Sequence, residues 1–203
     1  MTIKIIGLTF LGGVLGYFFP NFSNAIDPIV SVALLLMLFF VGLDFGQDRT
    51  LYEHIKKEGP SLLIFPVLIA LGSLGGSIIA GMFLPITILE SVTVGSAFGW
   101  YSLSGPLLSK MVSEPLGTIA FLANLMRELL TFLLVPLLAK VRLDKNGVKA
   151  LTFSPAGATS MDVTLGVIHK ATETKTAIAA FISGAVLSML APILLQFFIS
   201  LMI

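Results

Sequence analysis

Long apolar runs broken by short clusters of charge leave this chain few ways to fold. Hydrophobic residues make up 56% of it and charged residues only 11%, against about 25% charge in soluble domains. With a mean hydropathy of +1.02, the chain cannot cover a water-facing surface, and we read it as an all-α integral membrane protein. At about 20 residues per span, its length allows roughly six to eight membrane-length segments in one compact bundle. A net charge of +1 provides no basic surface for nucleic acid. The absence of cysteine excludes disulfides, thiolate metal sites and cysteine nucleophiles.

Five stretches read as ordinary spans, at residues 3–19, 26–44, 61–84, 116–139 and 176–203. The first is short for a bilayer and requires local thinning or a change of tilt. It follows only Lys4 and precedes no A-x-A-like site, so it reads as a retained helix rather than a cleaved signal peptide. In the third, "GSLGGSIIAG" puts Gly72, Gly76 and Ala80 on one face, a spacing that admits close helix approach.

Basic residues then set the orientation. Arg49, Lys56 and Lys57 lie in one loop, and Lys140, Arg142, Lys145 and Lys149 in another, whereas "NFSNAIDP" and "LPITILE" hold none. Placing both basic loops inside puts the N-terminus inside as well and sends the third span outward. The 116–139 span must run inward to deliver Lys140. Residues 86–114 therefore start and end outside, with Lys110 the one basic residue on that face. The Gly, Ser and Pro of "SAFGWYSLSGPLLSK" provide a place to bend. A second stretch, "FSPAGATSMDVTLG", starts after Lys149 and ends at His169, Lys170 and Lys175, so both of its ends read as cytoplasmic. The expected fold is a bundle of about five full spans plus two broken or re-entrant segments that enter from opposite sides, as in inverted-repeat transporters. Residues 1–203 then form a single transmembrane transporter domain. Non-helical backbone at that depth is tolerated only where protein surrounds it or it lines a wet cavity.

Chemistry concentrates at the same depth. Glu128 falls near the middle of the 116–139 span, where a charge costs at least ~2.5 kcal/mol on insertion scales. Asn124 lies one turn earlier on the same face. Arg127, about 100° round the helix, is a possible charge partner for an acid or for the second broken segment. Asp162 in "GATSMD" is the second intramembrane acid, preceded by Thr159 and Ser160, whose hydroxyls can bond beside unwound backbone. Trp100 and Tyr101, with Ser102 and Ser104 nearby, form either an interfacial aromatic belt or a binding surface whose rings could hold an ammonium group. Each acid also has a structural reading: a static Arg–Glu lock for Glu128, and a helix N-cap for Asp162. Asp44 and Glu90 read as ordinary helix-end charges. The acids outnumber Arg127 at depth, which favours a cation, a cationic organic substrate or exchanged protons.

The stretches "SAFGWYSLSGPLL", "ANLMRELLTFLLVPLLAK" and "GATSMDVTLGVI" resemble the LysO-type lysine exporter family of bacterial inner membranes, and the likeness runs from "GGVLGYFFP" to "SGAVLSMLAPIL". The resemblance implies export of L-lysine and toxic lysine analogues with proton exchange. It places the transport acids at Glu128 in "RELL" and Asp162 in "ATSMD". Longer members of that family begin with a further hydrophobic region whose "GY-x-x-P" and "FF-x-G" pattern is similar to the start of this chain. A homodimer or a separate small membrane subunit is the expected supplier of that part.

A channel or a transporter for another small cation or solute is the competing reading. An intramembrane hydrolase is disfavoured: "SLSG" lacks the first glycine of a serine site, and His54 and His169 fall in loop-like contexts. No Walker-A pattern is present, and no metal or cofactor is expected.

Overall fold

The computed structural model describes residues 60–141 and 148–203 throughout, together with isolated helical positions between residues 7 and 43. The expected spans at 3–19 and 26–44, Asp44, His54 and most of both basic loops lie outside the described residues or are only partly covered by them. The chain divides into two compact units, Met1–Phe40 and Val41–Ile203. The second holds every element named below.

Among the described residues each element in this unit is helical. A 3-10 turn at Pro60–Leu63 leads into α1 (Ile64–Gly81), and α2 (Ile88–Gly95) and α3 (Tyr101–Met111) follow. Next come the long α4 (Glu114–Leu138), the short α5 (Ala150–Phe153), a 3-10 turn at Gly157–Met161, α6 (Leu165–Ala171) and α7 (Thr174–Ser200). Among the described residues α1, α4 and α7 are long and apolar enough to cross a membrane, which makes the chain a helical membrane protein. Their positions agree with three of the expected spans to within a few residues.

Packing fixes the direction of the remaining helices. Helix α2 starts on a capping box in which Thr87 Oγ1 accepts the Glu90 N–H at 3.2 Å and Glu90 Oε2 accepts the Thr87 N–H at 2.7 Å, so Glu90 is the helix-end charge its position suggested. Ser91 Oγ then donates to Ser77 O at 2.6 Å, and Ser73 Oγ donates to Gly95 O at 2.9 Å. As α2 advances, its partners on α1 recede, so it runs antiparallel to α1 and stops halfway along it. Helix α3 turns back. Gly105 sits against Phe121, and Gly117 against Ser109, which makes α3 and α4 an antiparallel pair. Together α2 and α3 form a re-entrant hairpin that begins and ends at the end of the bundle bearing Glu90 and Glu114.

The second hairpin mirrors the first from the opposite end. Lys149 ties three termini together there: its Nζ donates to Ala139 O at 2.8 Å, and its N–H donates to Thr176 Oγ1 at 3.1 Å. Helix α5 thus enters where α4 leaves and where α7 begins. The chain reaches mid-depth at residues 154–164, and α6 returns to the same basic end, which carries Lys140, Lys149, Lys170 and Lys175. Two hairpins of opposite entrance, each followed by a full span, have the inverted arrangement the basic residues predicted.

The hairpins meet at their tips. The Ala158 N–H donates to Phe98 O at 2.8 Å, so each unwound segment satisfies part of the other's backbone, as hydrocarbon depth demands. Positive φ values cluster there: 52° at Phe98, 99° at Gly99 and 62° at Gly157. A Cβ at Gly157 would run into Phe98 O and the Arg127 guanidinium. Only glycine fits. Among the described residues a Cβ at Gly72 or Gly76 meets nothing within 4 Å, so the small-residue face of α1 has no close neighbour among them. Gly81 packs tightly against Ser91 instead, because α2 lies on the neighbouring face of α1.

Candidate functional site

Three residues near the midpoint of α4 serve three different neighbours. Asn124 faces the first hairpin: its Oδ1 accepts the Gly99 N–H at 2.8 Å, and its Nδ2 donates to Ala120 O at 2.9 Å and Val94 O at 3.1 Å, with Ser104 Oγ at 3.4 Å. The amide replaces bonds that the broken helix lost between Gly95 and Tyr101. Arg127 faces the second hairpin. Its Nε donates to Pro155 O at 2.8 Å, one terminal nitrogen to Ser73 Oγ at 2.9 Å, and the other to Ser154 O at 3.5 Å. Those carbonyls lie just past α5, where a helix end leaves acceptors unpaired and favours a cation. Among the described residues Arg127 makes no ion pair, so of its two expected partners it takes the second broken segment and not an acid.

Glu128 turns away from both. Its side chain is only 3% exposed, and its Oε2 has no hydrogen-bond partner among the described residues. It lines a cavity of about 190 Å³ together with Trp100, Tyr101, Ser102, Thr159, Asp162 and Ser188. That volume is room for several waters. Asp162 is exposed on the cavity's rim, and one carboxylate oxygen accepts the neighbouring Val163 N–H. It does not occupy the N-cap of α6, a position held by Thr164. Trp100 Nε1 donates to Ser102 Oγ at 3.1 Å. The Tyr101 ring stands edge-on to Phe121, 5.5 Å between centroids.

The structure thus gathers Glu128, Asp162, Thr159, Trp100, Tyr101 and Ser102 around one space. It sets three other expected site residues into the frame behind it. Asn124 and Ser104 hold the first hairpin, and Ser160 Oγ donates to Gly157 O and Ala180 O, each at 2.8 Å, pinning the second hairpin to α7. His169 lies in the last turn of α6 rather than in a loop. Gly99, Ala158, Met161 and Val163 complete the lining from the two hairpins, and Ser188 of α7, whose Oγ meets Met161 Sδ at 3.5 Å, was not anticipated from sequence. A signal for the crossing was available: S-x-x-G-x-x-S occurs as Ser96, Gly99, Ser102 and again as Ser154, Gly157, Ser160. Each copy carries its glycine at a hairpin tip.

Chemically, two carboxyl groups, two aromatic faces and several hydroxyls around a small space suit a cationic group with its hydration partly replaced. The family model described as "Lysine exporter LysO" matches residues 6–199. The lysine exporter LysO of Escherichia coli is 32% identical over 197 residues, which cover 97% of this chain and 64% of that protein. A Haemophilus influenzae protein, provisionally designated a lysine exporter, is 31% identical over 205 residues, covering 97% of each chain. The chain therefore spans less than two thirds of the Escherichia coli relative and nearly all of the Haemophilus influenzae one. No solved structure matches it.

Proposed function

The chain belongs to the LysO lysine exporter family, and from that premise we propose that it exports L-lysine and lysine analogues from the cytoplasm in exchange for protons. In this reading residues 1–203 act as one transport domain in a prokaryotic inner membrane. The basic end and the N-terminus face the cytoplasm, by the excess of Lys and Arg in the connections there. One observation carries the proposal: Glu128 and Asp162 line the same cavity at mid-depth, and neither is neutralised by Arg127 or by any other cation among the described residues.

The two acids divide two tasks, holding the substrate's ammonium group and carrying the exchanged proton. An ammonium beside a carboxyl favours its ionised form, so arrival of cargo and release of a proton are coupled. Trp100 and Tyr101 add ring faces for the cation. Thr159 and Ser102 offer hydroxyls that replace water around it. Asn124, Ser104, Ser160 and Arg127 keep the two broken backbones in place around the cavity.

Lysine counterflow in liposomes containing only this chain tests the proposal. Saturable exchange that responds to a proton gradient is expected, and passive conduction without saturation would favour a channel. Glu128→Gln and Asp162→Asn keep size and most hydrogen bonding while removing the titrating group. Each is expected to insert normally and to lose proton-driven lysine export. A well-expressed amide variant with normal rate and normal pH dependence would make that residue structural.

A further inference from the structure

Asp162 borders a second space that the transport reading does not use. A groove of about 410 Å³ lies between α6 and α7, and Asp162, Gly166, His169, Thr174, Ala177 and Phe181 are among its walls. Gly166 and His169 lie three residues apart on one face of α6, and Asp162 stands in the turn that precedes its first residue. Only residues 172–173 separate α6 from α7, so His169 and Thr174 mark the same outer end of the groove, beside Lys170 and Lys175. From Asp162 to His169 is on the order of 10 Å at helical rise. The same carboxylate thus stands at the inner end of the groove and on the rim of the cavity.

An exposed carboxylate cannot face hydrocarbon at this depth without a cost of several kcal/mol. The non-helical backbone beside it carries the same requirement. A carboxylate at this depth calls for water, and the groove's walls run from Asp162 at one end to His169 and Thr174, beside the basic end, at the other. We propose that the groove between α6 and α7 is the aqueous passage joining the cavity to that end, and that cationic solutes travel along it to Asp162. Its inner walls, Ala177 and Phe181 with Leu165 and Ile178, offer such a solute no competing charge, so Asp162 is the first group that holds it. The identity of the solute rests on the lysine reading above; the wetness of the passage does not.

Because the chain has no cysteine, single-cysteine labelling tests the passage directly. A Cβ at Gly166 meets nothing within 4 Å, so Gly166→Cys fits without repacking, and Ile178→Cys probes the facing wall. Lys175→Cys, at the basic end, reports which side of the membrane is being labelled, and Leu133→Cys, exposed on α4, reports an apolar surface. With a membrane-impermeant cationic thiosulfonate, Gly166→Cys and Ile178→Cys should react from the same side as Lys175→Cys. They should react roughly tenfold or more faster than Leu133→Cys, because only a hydrated thiolate attacks. Labelling as slow as that of Leu133→Cys, or labelling from the opposite side, overturns the passage. Gly166→Leu should then narrow it and slow lysine export at an unchanged protein level; unimpaired export removes the solute from this route. Fast, correctly sided labelling in a protein that moves no lysine would uphold the passage and overturn the substrate assignment instead.

Discussion

The two re-entrant hairpins solve one problem with different chemistry. The first is held at its tip by a neutral amide: Asn124 takes the Gly99 N–H and returns bonds to Val94 and Ser104. The second is held by a charge, the Arg127 guanidinium spread over Pro155 O, Ser154 O and Ser73 Oγ. The difference follows from which backbone groups each break exposes. At the first break the Gly99 N–H has no backbone acceptor among the described residues, and Val94 O accepts only weakly from the Ala97 N–H at 3.4 Å, which an amide matches with an acceptor and donors. Past α5 the orphans are carbonyls alone, which a pure donor suits best. The charged clamp sits under the hairpin that carries Asp162, and the neutral one under the hairpin that carries the aromatic residues. Among the described residues Arg127 is taken up by these carbonyls and the Ser73 hydroxyl and pairs with neither carboxylate.

Removing the clamps is the strongest way to break that comparison. Arg127→Leu leaves two carbonyls without their charged donor and is expected to cost on the order of 3 kcal/mol, read as thermal unfolding in detergent. Asn124→Leu should cost about 1–3 kcal/mol. Single-cysteine reactivity should rise near Ala156 in the first variant and near Trp100 in the second; the reverse pattern would mean the hairpins are not held separately.

A smaller effect comes from the tips themselves. Gly157→Ala forces a side chain against Phe98 O, which already accepts the Ala158 N–H at 2.8 Å, whereas the nearest atom to a Cβ at Gly99 is Ala156 O at 3.2 Å. Both pay for positive φ, so each should destabilise by about 1–3 kcal/mol. Gly157→Ala should be the worse of the two, since backbone cannot yield there without breaking the crossing. The smallest effect is a control: Gly76→Ala, in an open helical position, should stabilise slightly, by up to about 1 kcal/mol. A loss of stability there would show that α1 meets a neighbour at that face.

Much of this was legible before any coordinates. The parity of the basic loops required both hairpins, and the Gly, Ser and Pro residues marked where they bend. Glu128 and Asp162 were conspicuous because a carboxyl at that depth is costly whatever surrounds it. The partners of Asn124, Ser104, Ser160 and Arg127 were not legible. A hydroxyl or amide in an apolar stretch satisfies either a ligand or a stray backbone group, and only the register of the two hairpins decides between them. Ser188 was hidden for the related reason that a lone serine in a buried span has no local feature to distinguish the face it turns. The spacing of Gly72 and Gly76 permits close approach on one face of α1, but among the described residues the tight contact of α1 is at Gly81 against Ser91.

The mid-depth position of Glu128 also has an electrical consequence. A unit charge crossing the whole bilayer exchanges about 2.3 kcal/mol with each 100 mV of membrane potential. A cation reaching Glu128 by a dry path would cross roughly half of that drop, about 1 kcal/mol for each 100 mV, whereas a wet passage from the basic end would move most of the drop to the far side of the cavity. With an interior-negative potential, occupancy from the inner side falls as the potential grows, and occupancy from the outer side rises. Any cation affinity at this cavity would therefore be a property of the energised membrane as well as of the residues that line it.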